Sequence, residues 1–201
     1  MMIFHTRVLI SFLLIFLANI ALASGCQKDY SASQVEKKPL LEEGFHAKAR
    51  AQIIINKKPH QVKAWFDNVP PENIIHSTEN VSGISGTRNI GDKTWGKLNS
   101  TRLVCYEDSN TSLEQILENI PGEVFKYQMW DFSKDITHAI KYAVSDFNVK
   151  SIGNNQSILE WNFSFRPTSY FFRLPLKLYL KNDFQEYMES GLVNIKKLLE
   201  K

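Results

Sequence analysis

Cysteine is almost missing from this 201-residue chain, which has two, Cys26 and Cys105. Two are too few for a disulfide framework or a cysteine-rich zinc site. A strong charge of either sign is also missing. Lys and Arg number 24 against 21 Asp and Glu, a net +3 spread evenly along the chain, which argues against a nucleic-acid partner. There is no G-x-S-x-G, no H-E-x-x-H and no C-x-x-C, and no internal repeat or low-complexity segment. The five histidines are scattered, one of them near the N-terminus, so neither a metal nor a cofactor is expected. The longest apolar run, VLISFLLIFLANI, falls short of the ~20 residues that span a bilayer.

That run is informative in another way. Residues 1–25 have a basic start, the apolar stretch and a small-residue exit, the tripartite pattern of a secretory leader. The exit Leu22-Ala23-Ser24-Gly25-Cys26 resembles a bacterial lipobox, with Ala23 where leucine is commonest. This reading makes Cys26 the lipidated residue and the membrane a partner through it. A disulfide between Cys26 and Cys105 is the less favoured alternative, because an acylated Cys26 has no sulfur left to pair and Cys105 is then a lone thiol. The other reading is ordinary cleavage after an A-x-A-like site, giving a secreted or periplasmic soluble protein. Residues 26–44 are polar and lack apolar periodicity, as a flexible tether would. Gln27 after the cysteine favours the periplasmic side of an outer membrane, by analogy with other lipoproteins.

The folded domain is expected over 45–201. HAKARAQIII alternates as a half-buried strand with a mostly alanine inner face. Pro59 then opens a short helix, and PENII makes one more helical turn. Strands are expected at about 77–83 and 92–98, then in STRLVCYED, TSLEQILENI, EVFKYQMWDF, HAIKYAVSDFNVKSI and SILEWNFSFRP. From Leu176 to Lys201 the period changes to that of a helix. Phe184, Met188, Gly191, Leu192, Ile195, Leu198 and Leu199 form one apolar stripe. The expected fold class is therefore α+β: a curved antiparallel sheet of about six to seven strands, two short helices after the first strand, and a long C-terminal helix across the concave face.

This order resembles the START-like, or polyketide cyclase/dehydrase and lipid-transport, superfamily with its helix-grip fold. The carriers are KKPHQVKAWFDN, IGDKTW, SLEQILEN with GEVFKYQMWDF, and SILEWNFSFRP ahead of the closing helix. The resemblance implies an apolar cavity between sheet and helix that takes a hydrophobic small molecule or lipid. Protein partners stay unspecified, and an envelope interaction module with a filled core and no ligand is a further alternative.

Candidate cavity residues are Ala49, Ala51, Ile53, Leu103, Cys105, Leu117, Phe125, Tyr127, Met129, Tyr142, Trp161, Phe163, Phe165, Met188, Gly191 and Leu192. Large rings from the late strands face small residues from the first strand and the last helix, a mixture able to leave a void. Arg166, Tyr170, Phe171, Phe172 and Arg173 are candidates for a cavity mouth or a bilayer contact. An enzymatic alternative rests on Asp131, Asp135 and His138 near Tyr106, Tyr127 and Tyr142, as a cyclase or dehydrase would need an acid and a base in reach of one substrate. No catalytic residue is assigned.

Overall fold

A computed structural model describes residues 41–66, 69–121, 123–133 and 138–201. The leader, Cys26, most of the tether and Asp135 lie outside the described residues.

β1 (Ala47–Ile55) buries Ala47, Ala49 and Ala51 and exposes the polar residues between them. The chain then enters α1 (Pro59–Phe66), where the Gln61 side chain accepts a hydrogen bond from the Lys58 amide at 3.0 Å. A single 3₁₀ turn follows at Pro71–Asn73. Six strands come next in sequence: β2 (Ile84–Ile90), β3 (Thr101–Tyr106), β4 (Thr111–Ile120), β5 (Val124–Trp130), β6 (Ile140–Gly153) and β7 (Gln156–Pro167). They form one antiparallel meander that ends against β1, in the order β1-β7-β6-β5-β4-β3-β2. β1 and β2 are the edges.

The two loosely patterned strands expected at 77–83 and 92–98 are replaced by one strand between them, β2. Residues 77–83 instead fold back, with the Thr78 amide donating to the Val81 carbonyl at 2.9 Å. Gly83 is required there, since a Cβ would lie 2.5 Å from the Ser77 nitrogen. Residues 91–99 make turns through Gly91 (φ 77°) and Gly96 (φ 99°).

The C-terminal helix begins earlier than its stripe predicts. It runs from a 3₁₀ turn at Tyr170–Phe172 into α2 (Arg173–Tyr179), through a π turn at Leu180–Phe184, into α3 (Gln185–Leu199). The widened turn lets both Leu180 and Phe184 reach the core. Met188, Gly191, Leu192, Ile195 and Leu199 continue the buried stripe, as the helical period requires. α3 also covers the open edge of the sheet. Gln185 Nε2 donates to the Arg50 carbonyl at 3.0 Å, and Lys196 Nζ to the Ile54 carbonyl at 2.8 Å. Capping an edge strand in this way removes a site for unwanted pairing.

Two apolar clusters result. The larger lies between the concave face of the sheet and the helices, with Trp161, Phe163, Phe165 and Met188 among its members. The smaller lies on the opposite face and contains Ile90, Leu103, Cys105, Leu113, Trp130, Tyr142 and Val144. The fold is the helix-grip fold.

Candidate functional site

A cavity of about 210 Å³ lies between the concave face and the helices. Its floor is built by alternate residues of three central strands. Phe125, Tyr127 and Met129 come from β5, Phe147 from β6, and Trp161, Phe163 and Phe165 from β7. Tyr179, Phe184 and Tyr187 close it from the helix side, and Phe66, Ile74 and Ile75 from the segment after β1. The rings brace one another. Phe147 stacks on Trp161 at 4.8 Å, and Phe184 meets Phe163 and Phe165 edge-on at 4.9 and 5.1 Å. Such geometry suits the aromatic quadrupole and keeps the wall stiff.

Few polar side chains enter this space, and the buried charges among them form a pair. Arg102 and Glu114 sit opposite each other on β3 and β4 and project inward. Arg102 Nε donates to Glu114 Oε2 at 2.7 Å, and its Nη2 lies 2.6 Å from the same oxygen. The guanidinium also lies 3.8 Å from the Trp95 ring centre, a cation–π contact. Both residues are buried, so the pair is held in low dielectric, where each charge depends on the other.

Tyrosine hydroxyls add further polarity. Tyr106 hydrogen-bonds Ser112 at 2.9 Å. Ser145, fully buried on β6, accepts the Trp161 indole N–H at 2.9 Å and shares a hydrogen bond with Tyr127. Burial raises the pKa of Tyr106, Tyr127 and Tyr187 well above the ordinary phenol value, with the nearby Glu114 carboxylate adding to it. For Tyr179 burial does the same, to about 12, with Asp183 contributing. All four stay neutral at physiological pH, so they offer hydrogen bonds rather than charge.

Asn80, Ser82, Asp108 and Asn110, from the loops before β2 and between β3 and β4, also line the cavity. Asn80 and Asp108 are exposed, so this end faces solvent. Asn80 Nδ2 donates to Asp183 Oδ1 at 2.9 Å, tying the loop to the π turn.

Of the residues singled out from sequence, Phe125, Tyr127, Met129, Trp161, Phe163 and Phe165 line the cavity. Ala49, Ala51, Met188 and Leu192 are buried in the inner cluster outside the lining, with Ile53 partly buried beside them. Gly191 belongs with them: a Cβ there would lie 3.0 Å from both Ile75 and Trp161. Leu103, Cys105, Leu117 and Tyr142 are corrected: the register turns them to the outer face. On β3 it is Arg102 and Val104 that point inward, and a bulge after Ile116 turns Leu117 out. Cys105 is disulfide-bonded, not a lone thiol.

Arg166 is also corrected. Its guanidinium is on the outer face, where Nη1 donates to the Phe45 carbonyl at 3.0 Å and Nε lies 3.4 Å from Glu42. Tyr170, Phe171 and Phe172 do not line the cavity. They protrude instead: Tyr170 is 73% and Phe171 86% exposed, with Leu174 at 66%. Arg173 lies over Tyr170 and Phe45, 4.6 Å from each ring centre. The acid–base set does not assemble. Asp131 and His138 are outside the lining, Tyr142 faces outward, and only Tyr106 and Tyr127 look into the cavity.

Sequence reasoning missed the Arg102–Glu114 pair. Its one signal was Arg102 as the single charge in β3, which is otherwise uncharged.

No protein-family model matches the chain, and no curated protein matches it. Solved structures do. A START superfamily protein from Mycobacterium smegmatis aligns with a TM-score of 0.57 at 10% identity, over 77% of this chain and 99% of that one. Norcoclaurine synthase from Thalictrum, a point mutant in complex with a transition-state analogue, gives 0.57 at 12% identity over 80% and 98%. Ginseng major latex-like protein 151 from Panax ginseng gives 0.57 at 15% identity over 77% and 98%. At these identities the likeness is one of fold. The chain has the architecture of START-like and plant latex-like proteins.

Proposed function

We propose that this protein binds and carries a hydrophobic small molecule in the cavity under its C-terminal helix. The observation that carries the proposal is the cavity itself, a space of about 210 Å³ walled by aromatic rings with one buried ion pair at its side. A well-packed interior leaves few voids larger than a water molecule. The volume exceeds the ~150 Å³ that admits benzene and lies below the roughly 300–1,000 Å³ of drug-sized sites. A compact apolar body with one polar group for Arg102, Glu114 or a tyrosine hydroxyl suits it. A lipid-like ligand would insert part of its length and leave the rest in the solvent-facing end.

The test is direct. Protein extracted from its host is sprayed under native conditions for co-purified ligand, then titrated with 1-anilinonaphthalene-8-sulfonate and challenged with fatty acids, sterols and small aromatics. Bound ligand or saturable displaceable binding is expected, and Met129→Trp, which fills the space, abolishes it. No binding by the wild type under any of these conditions refutes the reading.

The site of action belongs to the same proposal: export by the leader to the cell envelope, facing the periplasm. A lipid on Cys26 is one form of this, in which Cys105 has no sulfur of its own chain to bond, and it is tested by palmitate labelling with a Cys26→Ala control. Bilayer contact through Tyr170, Phe171 and Leu174 is supported by their exposure beside Arg173 and Lys177. Rings at the interface and cations on phosphates fit an anionic surface. Co-sedimentation with vesicles of mixed neutral and anionic lipid is expected to fall for Phe171→Asp, and equal binding by that variant refutes the contact.

A further inference from the structure

The ion pair in the cavity wall leaves half of its carboxylate unused. Register sets Arg102 on β3 opposite Glu114 on β4, and both line the cavity. Both guanidinium contacts, from Nε at 2.7 Å and from Nη2 at 2.6 Å, fall on the same oxygen, Oε2. No described residue donates to Glu114 Oε1. Glu114 is only 2% exposed, so that oxygen is held away from bulk water. A buried acceptor without a donor is costly, and more so when it belongs to a charged group.

The same pair restricts what can supply the donor. Two of the three guanidinium nitrogens face Glu114, and the guanidinium lies 3.8 Å from the Trp95 ring centre. An acid entering the cavity meets a cation that is already neutralised, and it brings a second carboxylate beside the first. Like charges close together in a dry space disfavour each other. An amine has the mirror problem with Arg102. An uncharged hydroxyl or N–H group has neither, and it supplies what Oε1 lacks. The tyrosine hydroxyls of the wall both donate and accept, so they do not select between these classes.

We propose that the cavity selects a compact apolar molecule with an uncharged hydrogen-bond donor, a hydroxyl or N–H group, which seats on Glu114 Oε1. The inference rests on the carrier reading above and adds to it the class of ligand: alcohols, phenols and amides rather than free acids. A site that hydrogen-bonds a ligand hydroxyl rejects the analogue lacking it, because the buried polar group is then left unpaired.

The test uses three probes built on one ring system: 2-naphthol, its methyl ether and 2-naphthoate. Each is titrated calorimetrically at neutral pH, where only the acid is charged, into protein recovered from its host and freed of bound ligand. The naphthol is expected to bind about tenfold or more tightly than its ether, and the naphthoate more weakly than either. Comparing two neutral probes separates the donor from the general preference of an apolar space for uncharged molecules. In Arg102→Met with Glu114→Leu the acceptor is gone, and the naphthol and its ether are expected to bind alike. Three results overturn the inference and leave the carrier reading standing: equal binding of naphthol and ether by the wild type, tighter binding of naphthoate, or a naphthol advantage that survives in the double variant. If that variant does not fold, the wild-type comparison decides alone. Failure of all three probes to bind also overturns the inference, and the carrier reading falls with it only if the fatty acids and sterols fail too.

Discussion

Gly191 is the residue at which the long helix comes closest to the sheet. A side chain there meets Ile75 and the Trp161 ring, each 3.0 Å from where its Cβ would be. Trp161 has little freedom to yield, since Phe147 stacks on it and Ser145 holds its N–H. Gly191→Leu is therefore expected to destabilise the protein by about 1–3 kcal/mol, the usual cost of overpacking, read as a lower denaturant midpoint at unchanged slope. Ser145 works from the other side of that ring. Ser145→Ala leaves the Trp161 indole without its acceptor and removes the partner of Tyr127. Each buried orphan costs about 1–3 kcal/mol, so the variant is expected to lose at least the lower figure in equilibrium unfolding. Ser145→Thr, which keeps the hydroxyl, should recover part of it. A fully stable Ser145→Ala would show that neither bond matters.

At the scale of elements, the Arg102–Glu114 pair couples β3 to β4 inside the wall of the cavity. Arg102→Ala strands a buried carboxylate and is expected to cost about 3–5 kcal/mol in chemical denaturation, while Arg102→Met with Glu114→Leu costs much less. If the double variant is as unstable as the single one, the pair is not what fixes the strands. The same pair explains why parts of the fold could be read from sequence and others could not. β1, β7 and α3 each have one dry and one wet side, so alternation or a helical stripe shows through, and their faces were assigned correctly. β3 is buried on both faces. There the rule that charge points outward fails, because Arg102 is dry and paired, and Leu103 and Cys105 were assigned to the wrong side. On β6 the inward positions hold Ala143 and Ser145, so Tyr142 looked the better core residue. β2 was displaced for the opposite reason: ISGTRNI is an edge strand of mostly half-buried residues, with no alternation to read. The cavity was legible only as a mismatch of large and small residues. Its volume depends on how far the π turn and Gly191 let the helix approach, which no local pattern encodes.

For the whole molecule, four tyrosines carry the cost of an interior that is mostly aromatic. Tyr106, Tyr127 and Tyr187 are pushed up chiefly by burial, and Tyr179 to about 12 by the same cause. Their phenols face one space from the sheet and from the helix, so ionising any of them puts a charge into the cavity wall. The sign follows from proton counting. Above the unfolded phenol value of 10.0 the unfolded chain has lost protons that the native state still holds. Stability therefore falls as pH rises. The contribution is fully present below pH 10 and, for Tyr179, is gone once pH has passed about 12. Alkaline titration is expected to show tyrosinate absorbance from these rings appearing together with loss of far-ultraviolet circular dichroism, in one cooperative step rather than by gradual ionisation of an intact fold. Tyr187→Phe removes one of the groups that drive the step and moves its midpoint to higher pH. A midpoint that does not move, or ionisation that runs to completion with the fold intact, would mean that the helix lifts from the sheet readily enough to hydrate the cavity. The same measurement thus tests how firmly α3 closes the space proposed to hold the ligand.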